Sequence, residues 1–203
     1  MATATLPASP LADPPPPAPR RPRVLLLGAA FGAAGSVLTV VSLLAVYLQV
    51  RGDELAAGRT ALPQGVVLPL TPGNMGMVTL AMAAVTMAWA VYSLRNDDRP
   101  HAYMALGLTL LFGVAFINST VYLYQQLALA PTSGVMAGLL YAVTGSHLVM
   151  VAVGMVFAAV MGFQALGGQL TGRDAEGMSA AALYWYATIA VYAVIWYAVY
   201  ITK

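Results

Sequence analysis

The chain has 203 residues, of which 60% are hydrophobic and only 8% are charged, and its mean hydropathy is +0.78. Soluble domains are about one quarter charged, so this composition belongs to an integral membrane protein. The net charge of +2 arises from nine Lys/Arg and seven Asp/Glu in the tail and connecting segments; it reads as a topology signal and gives no support to nucleic-acid binding. With no cysteine, disulfides, thiolate nucleophiles, iron–sulfur clusters and thiolate metal sites are all excluded.

Residues 1–23, "MATATLPASPLADPPPPAPRRPR", are proline-rich and lack an apolar run, which predicts a disordered cytoplasmic tail. The apolar segment that follows is too long for a cleavable signal peptide. Residues 24–203 form one predicted membrane domain, with spans near 24–50, 74–94, 102–127, 135–165 and 180–201. Each run is long enough to cross a hydrocarbon core about 30 Å thick. The expected fold is therefore all-α, a five-transmembrane-helix bundle. Acidic residues are confined to the tail and to predicted loops. On alternate sides, Arg20, Arg21, Arg23, Arg95, Arg99 and Arg173 stand against Arg51, Arg59 and Lys203, six against three. That bias predicts a cytoplasmic N-terminus and an outer C-terminus.

The first span places Gly28, Gly32 and Ser36 at intervals of four, and Gly134, Gly138 and Ala142 repeat the pattern around the start of the fourth. Such stripes allow close approach between helices, and packing within one bundle is the expected use. In the last span, Tyr184, Trp185 and Tyr186 are expected at one membrane interface, and Trp196, Tyr197 and Tyr200 at the other.

Chemistry is sparse. His147, inside the fourth span, is the only ionisable side chain of the charge-carrying or imidazole type predicted within any span. Paired carboxylates, a phosphate-cradling glycine loop and a Ser/His/Asp set are all missing, so no catalytic residue is assigned. Asn118, Ser119 and Thr120 are expected either to line a small polar track or to hydrogen-bond to neighbouring helices. The second histidine, His101, falls at the cytoplasmic edge of span three, whereas His147 lies about a dozen residues, or roughly 18 Å, in from the other side. They cannot face one iron, so no haem or metal ligand is expected in this chain. His147 is expected to be neutral and structural, with Thr144, one turn earlier, as a hydrogen-bonding neighbour.

The residues around His147 carry a resemblance. "LLYAVTGSHLVMVAVGMVF", a short loop and then "AAALYWYATIAVYAVIWYAVY" resemble the last two helices of haem–copper cytochrome oxidase subunit III, where a TGFHxxHVxxG helix precedes a YWHFVDxxW helix. "PGNMGMVTLAMAAVTMAWAVYSLRNDDRPHAYMALGLTLLFGVAFINSTVYLYQQL" is similar to that family's two preceding helices, and "AVYLQVR", ending at Arg51, to its AYFxxR helix end. The likeness covers residues 24–203 in the five-helix bacterial form, which lacks the family's first two helices and has the orientation that the charges suggest. Several family positions differ. Embedded carboxylates fall on Ser36 and Leu123, the second motif histidine on Met150, the Glu before the last helix on Ser179, and the His and Asp of YWHFVD on Tyr186 and Ile189. Thr144, Gly145, His147, Tyr184 and Trp185 keep the pattern.

The resemblance implies a non-catalytic accessory subunit, with haem and copper in partner subunits and phospholipid held in the bundle. It would pack on oxidase subunit I in a bacterial plasma membrane, supporting proton uptake and turnover stability while oxygen is reduced to water. Lipid or subunit contacts are expected at His147, Thr144, Gly145, Arg51, Tyr184, Trp185, Gly28, Gly32 and Ser36. The alternatives are a subunit III-like partner of a quinol oxidase or nitric-oxide reductase, or a stand-alone small transporter or assembly factor.

Overall fold

A computed structural model describes residues 23–60, 62, 66, 68–127, 129–170 and 175–202. The predicted tail, apart from Arg23, lies outside the described residues, as do Arg173 and Lys203. All regular structure among the described residues is helical: α1 (Val24–Ala56), α2 (Leu70–Arg95), α3 (Arg99–Leu127), α4 (Val135–Leu166) and α5 (Glu176–Ile195), the last continuing into a π turn (Trp196–Ile201). All five are long and apolar enough to cross a membrane. A helix suits such sequences because it satisfies every interior backbone N–H and C=O within the segment, which lipid cannot do.

The helices overrun the apolar stretches at several ends. α2 begins at Leu70 and α3 at Arg99, several residues before the runs at 74 and 102. Pro72 and Pro100 sit in the first turns, where a backbone N–H has no intrahelical partner and proline costs nothing. α1 continues through Arg51, Asp53 and Glu54, and α5 starts at Glu176, so three acidic residues expected in loops belong to helix ends.

α2 and α3 form the most extensive pair, α5 packs on α1, α2 and α4, and α4 also touches α1 and α3. α5 is the hub. Of the residues in its apolar window 56% are buried, against 17% for α1, which lies at the edge of the bundle. Two apolar cores meet along α5: one around Leu80, Met87, Phe116, Val151 and Trp185, the other around Val40, Leu44, Leu140, Val143 and Ile195. Hydrogen bonds cross between helices at Thr86 and Thr109 (2.8 Å), and from the Tyr103 hydroxyl to Ala165 O (2.9 Å). Glu176 Oε1 accepts the backbone N–H of Leu26 at 3.0 Å, tying the start of α5 to the orphan donors of α1.

Two packing expectations are corrected. The Gly28–Gly32 stripe faces outward, and a Cβ at either position would meet nothing within 4 Å among the described residues. Gly134 is equally open, and among the described residues a Cβ on Gly138 would approach only Pro131 O, in the loop before α4. Close approach occurs elsewhere: a Cβ on Gly76 would lie 2.5 Å from the Tyr192 hydroxyl, and one on Gly73 would lie 2.9 Å from the Tyr200 ring. The aromatic belt is likewise partial. Tyr184, Trp185 and Tyr200 are buried among helices, while Tyr186 and Tyr197 are exposed.

Candidate functional site

The fourth helix is apolar on nearly every side, so a polar group there must find its partner across a helix contact. His147, 2% exposed, does so: its Nε2 lies 3.0 Å from Thr188 O on α5. A carbonyl only accepts, so Nε2 carries the hydrogen and donates it, and in the neutral ring Nδ1 is left as an acceptor. Phe116 meets the imidazole edge to face at 5.5 Å, Tyr192 flanks it at 5.2 Å, and these two aromatic rings contact each other at 4.8 Å. Two rings, one from α3 and one from α5, thus flank the histidine of α4.

Thr144 is not the histidine's hydrogen-bonding neighbour, which corrects that expectation. Its hydroxyl donates to Leu140 O at 2.8 Å and accepts from the Tyr124 hydroxyl at 2.8 Å, so it fastens α4 to α3. The hydroxyl oxygens of Ser36 and Tyr184 come within 3.0 Å and join α1 to α5, with Ser36 also bonded back to Gly32 O. Arg51 reaches the last turn of the chain, where it donates to Ala198 O at 3.2 Å, to the Thr202 hydroxyl at 3.3 Å and to Thr202 O. A guanidinium there answers carbonyls of the last helical turn, and Ala198 O also accepts from the Thr202 hydroxyl at 2.8 Å. Trp185 is fully buried with its ring over Gly154, and its Nε1 has no hydrogen-bond partner among the described residues. Gly145 is half-buried with open space at its Cβ position.

His147, Thr144, Ser36, Tyr184 and Arg51 therefore form separate helix-to-helix ties, and the expected residues do not converge on one reacting centre. The positions that depart from the family pattern fit the same picture. Leu123 and Met150 are buried apolar groups, and Ser179 takes a hydrogen bond from Arg95 at 3.0 Å. Sequence reasoning missed Tyr192, whose hydroxyl donates to Gly73 O at 3.0 Å, and Asn74, whose side chain accepts from Trp196 Nε1 at 2.8 Å. Ser119, singled out in the sequence, donates to Pro72 O at 3.3 Å, while Asn118 lies on the exposed face of α3.

The donor set does not fit a haem or a copper ion. Among the described residues no three His, Asp or Glu side chains gather, His147 Nε2 is committed to Thr188 O, and His101 is exposed with its Nδ1 2.7 Å from an Asp98 oxygen. That contact holds the Asp98 carboxyl below the usual carboxylate range, chiefly through the side-chain hydrogen bond from His101.

The family profile for cytochrome c oxidase subunit III matches residues 35–203. The chain belongs to the cytochrome c oxidase subunit III family. It is 32% identical over 124 residues to a probable cytochrome c oxidase subunit 3 of Rickettsia conorii, covering 60% of this chain and 44% of the relative. The Rickettsia felis counterpart is 33% identical over 124 residues, with 60% and 45% covered. The cytochrome c oxidase subunit 3 of Sus scrofa is 28% identical over 141 residues, with 68% and 54% covered. The chain spans about half the length of the curated relatives it matches. Five apolar helices in a member of the subunit III family make this a multi-pass membrane protein.

Proposed function

We propose that the chain is the accessory, non-redox subunit III of a haem–copper terminal oxidase in a bacterial plasma membrane, with its N-terminus in the cytoplasm and its C-terminus outside. It packs on the catalytic subunit I, holds phospholipid, and supports proton uptake and turnover stability while oxygen is reduced to water there. The observation that carries this reading is the match to the subunit III family over residues 35–203, in a bundle whose one buried imidazole is spent on a backbone carbonyl.

Three further features support it. The Rickettsia relatives suggest a bacterial membrane, and the arginine bias favours the stated orientation. The outward face of α1 carries Gly28, Gly32 and Gly35 with open space beside each, a surface that another membrane helix can approach closely. The chain's own residues act by positioning: His147, Thr144, Tyr184 and Arg51 each fix one helix against another and leave the redox chemistry to the partner.

Oxygen uptake by membranes with and without the chain tests this function. Without it, uptake driven by a reduced donor is expected to start near the normal rate and to decay faster during sustained turnover. Identical decay in the two preparations would contradict the proposed role.

A further inference from the structure

A small cavity lies where α2, α3, α4 and α5 meet the π turn, lined by Ser119, Thr120, Thr144, His147, Tyr192 and Tyr200 among others. The centre of a water-sized sphere can range over about 10 Å³ inside it, close to the least space that one water molecule needs. Its walls have an unusual hydrogen-bond balance. Ser119 spends its hydrogen on Pro72 O, Thr120 on Phe116 O, Thr144 on Leu140 O and Tyr192 on Gly73 O. His147 spends its ring hydrogen on Thr188 O. Each of these groups therefore offers only lone pairs to the cavity. Tyr200, 3% exposed, makes no hydrogen bond among the described residues, so its hydroxyl is the one wall group with a hydrogen to give.

We infer that this cavity is a binding site for a single ordered water molecule. Water accepts from the Tyr200 hydroxyl and donates its two hydrogens to His147 Nδ1 and to the Ser119 or Thr120 hydroxyl oxygen. That makes three hydrogen bonds, the usual number for a buried water. The site needs a guest with more donors than acceptors to spare, because acceptors facing one another across a low-dielectric gap are each left unsatisfied. A cation also meets lone pairs, but none of the residues lining the cavity carries a charge to offset its desolvation. The bound water ties the π turn to α3 and α4 through Tyr200, a link that the direct hydrogen bonds do not make.

The test is a density map of the chain in the complex with which it purifies, at a resolution that shows ordered water, for the natural sequence and for Tyr200→Phe. The expected result is a peak within about 3.2 Å of both His147 Nδ1 and Tyr200 Oη, lost when the phenol hydroxyl is removed. The inference is overturned by an empty cavity between well-defined His147 and Tyr200 side chains, by a direct Tyr200–His147 hydrogen bond, or by a peak that persists unchanged in Tyr200→Phe. If Tyr200→Phe fails to assemble, Thr120→Val, which removes an acceptor and keeps the shape, is scored in the same way: a weakened peak supports the site, and an unchanged one with Ser119 not in contact overturns it.

Discussion

At the scale of single residues, polar side chains such as His147, Thr144, Tyr184 and Arg51 tie one helix to another. His147→Ala removes the donor to Thr188 O and the ring between Phe116 and Tyr192. The hydrogen bond alone is worth on the order of 1 kcal/mol in a membrane protein, and the lost ring contacts add to it. The expected outcome is lower thermal stability in detergent and weaker retention of the chain in its complex, with the partner's haem spectrum unchanged. A haem band that vanished while the chain stayed assembled would make His147 a ligand. The sequence already singled out His147, because a lone imidazole in a span without a carboxylate has no ionic partner there and must seek a hydrogen bond. Its partner was not legible there. Thr144 is the obvious neighbour one turn away, yet the three-dimensional neighbour is a backbone carbonyl on α5, for which no side-chain pattern exists.

At the scale of elements, the helices themselves were legible because apolar length is enough to specify them in lipid. Their rotation was not. A helix that is apolar all round has no stripe to mark its inward face, so Tyr184 and Trp185 read as interfacial although both are buried. The glycines show the same limit: spacing singled out Gly28 and Gly32, whereas the structure presses side chains onto Gly73 and Gly76. Gly76→Ala is therefore expected to displace Tyr192 and destabilise the bundle by about 1–3 kcal/mol, the usual cost of overpacking. Gly28→Ala is expected to leave the stability of the isolated chain unchanged. Thermal unfolding of the two variants separates them. The α2–α3 turn is expected to depend on pH. Asp98 titrates below its ordinary value because His101 bonds to it, so its contribution is present above the usual carboxylate range and is lost as pH falls through the depressed value. Amide protection around residues 96–103, corrected for the intrinsic pH dependence of exchange, is expected to fall on acidification, and Asp98→Asn to remove that fall.

At the scale of the whole molecule, the five helices, their order and the family were readable in the sequence, since motif order along the chain survives the loss of several family side chains. The C-terminal closure was not, because Arg51 and Thr202 are far apart in sequence and meet only when α1 packs on α5. Arg51→Gln is expected to free the π turn, read as faster amide exchange at residues 197–202 with the rest of the bundle protected. The central claim is that the chain works as an accessory subunit beside a haem-bearing partner. It is tested most directly by isolating the tagged chain from its native membrane in mild detergent and recording the absorption spectrum and subunit masses, with the chain expressed alone as control. The expected result is a larger partner carrying a haem spectrum in the native preparation and no stoichiometric Soret band from the chain alone. A chain that emerges without a partner, or that carries the haem itself, would contradict the account.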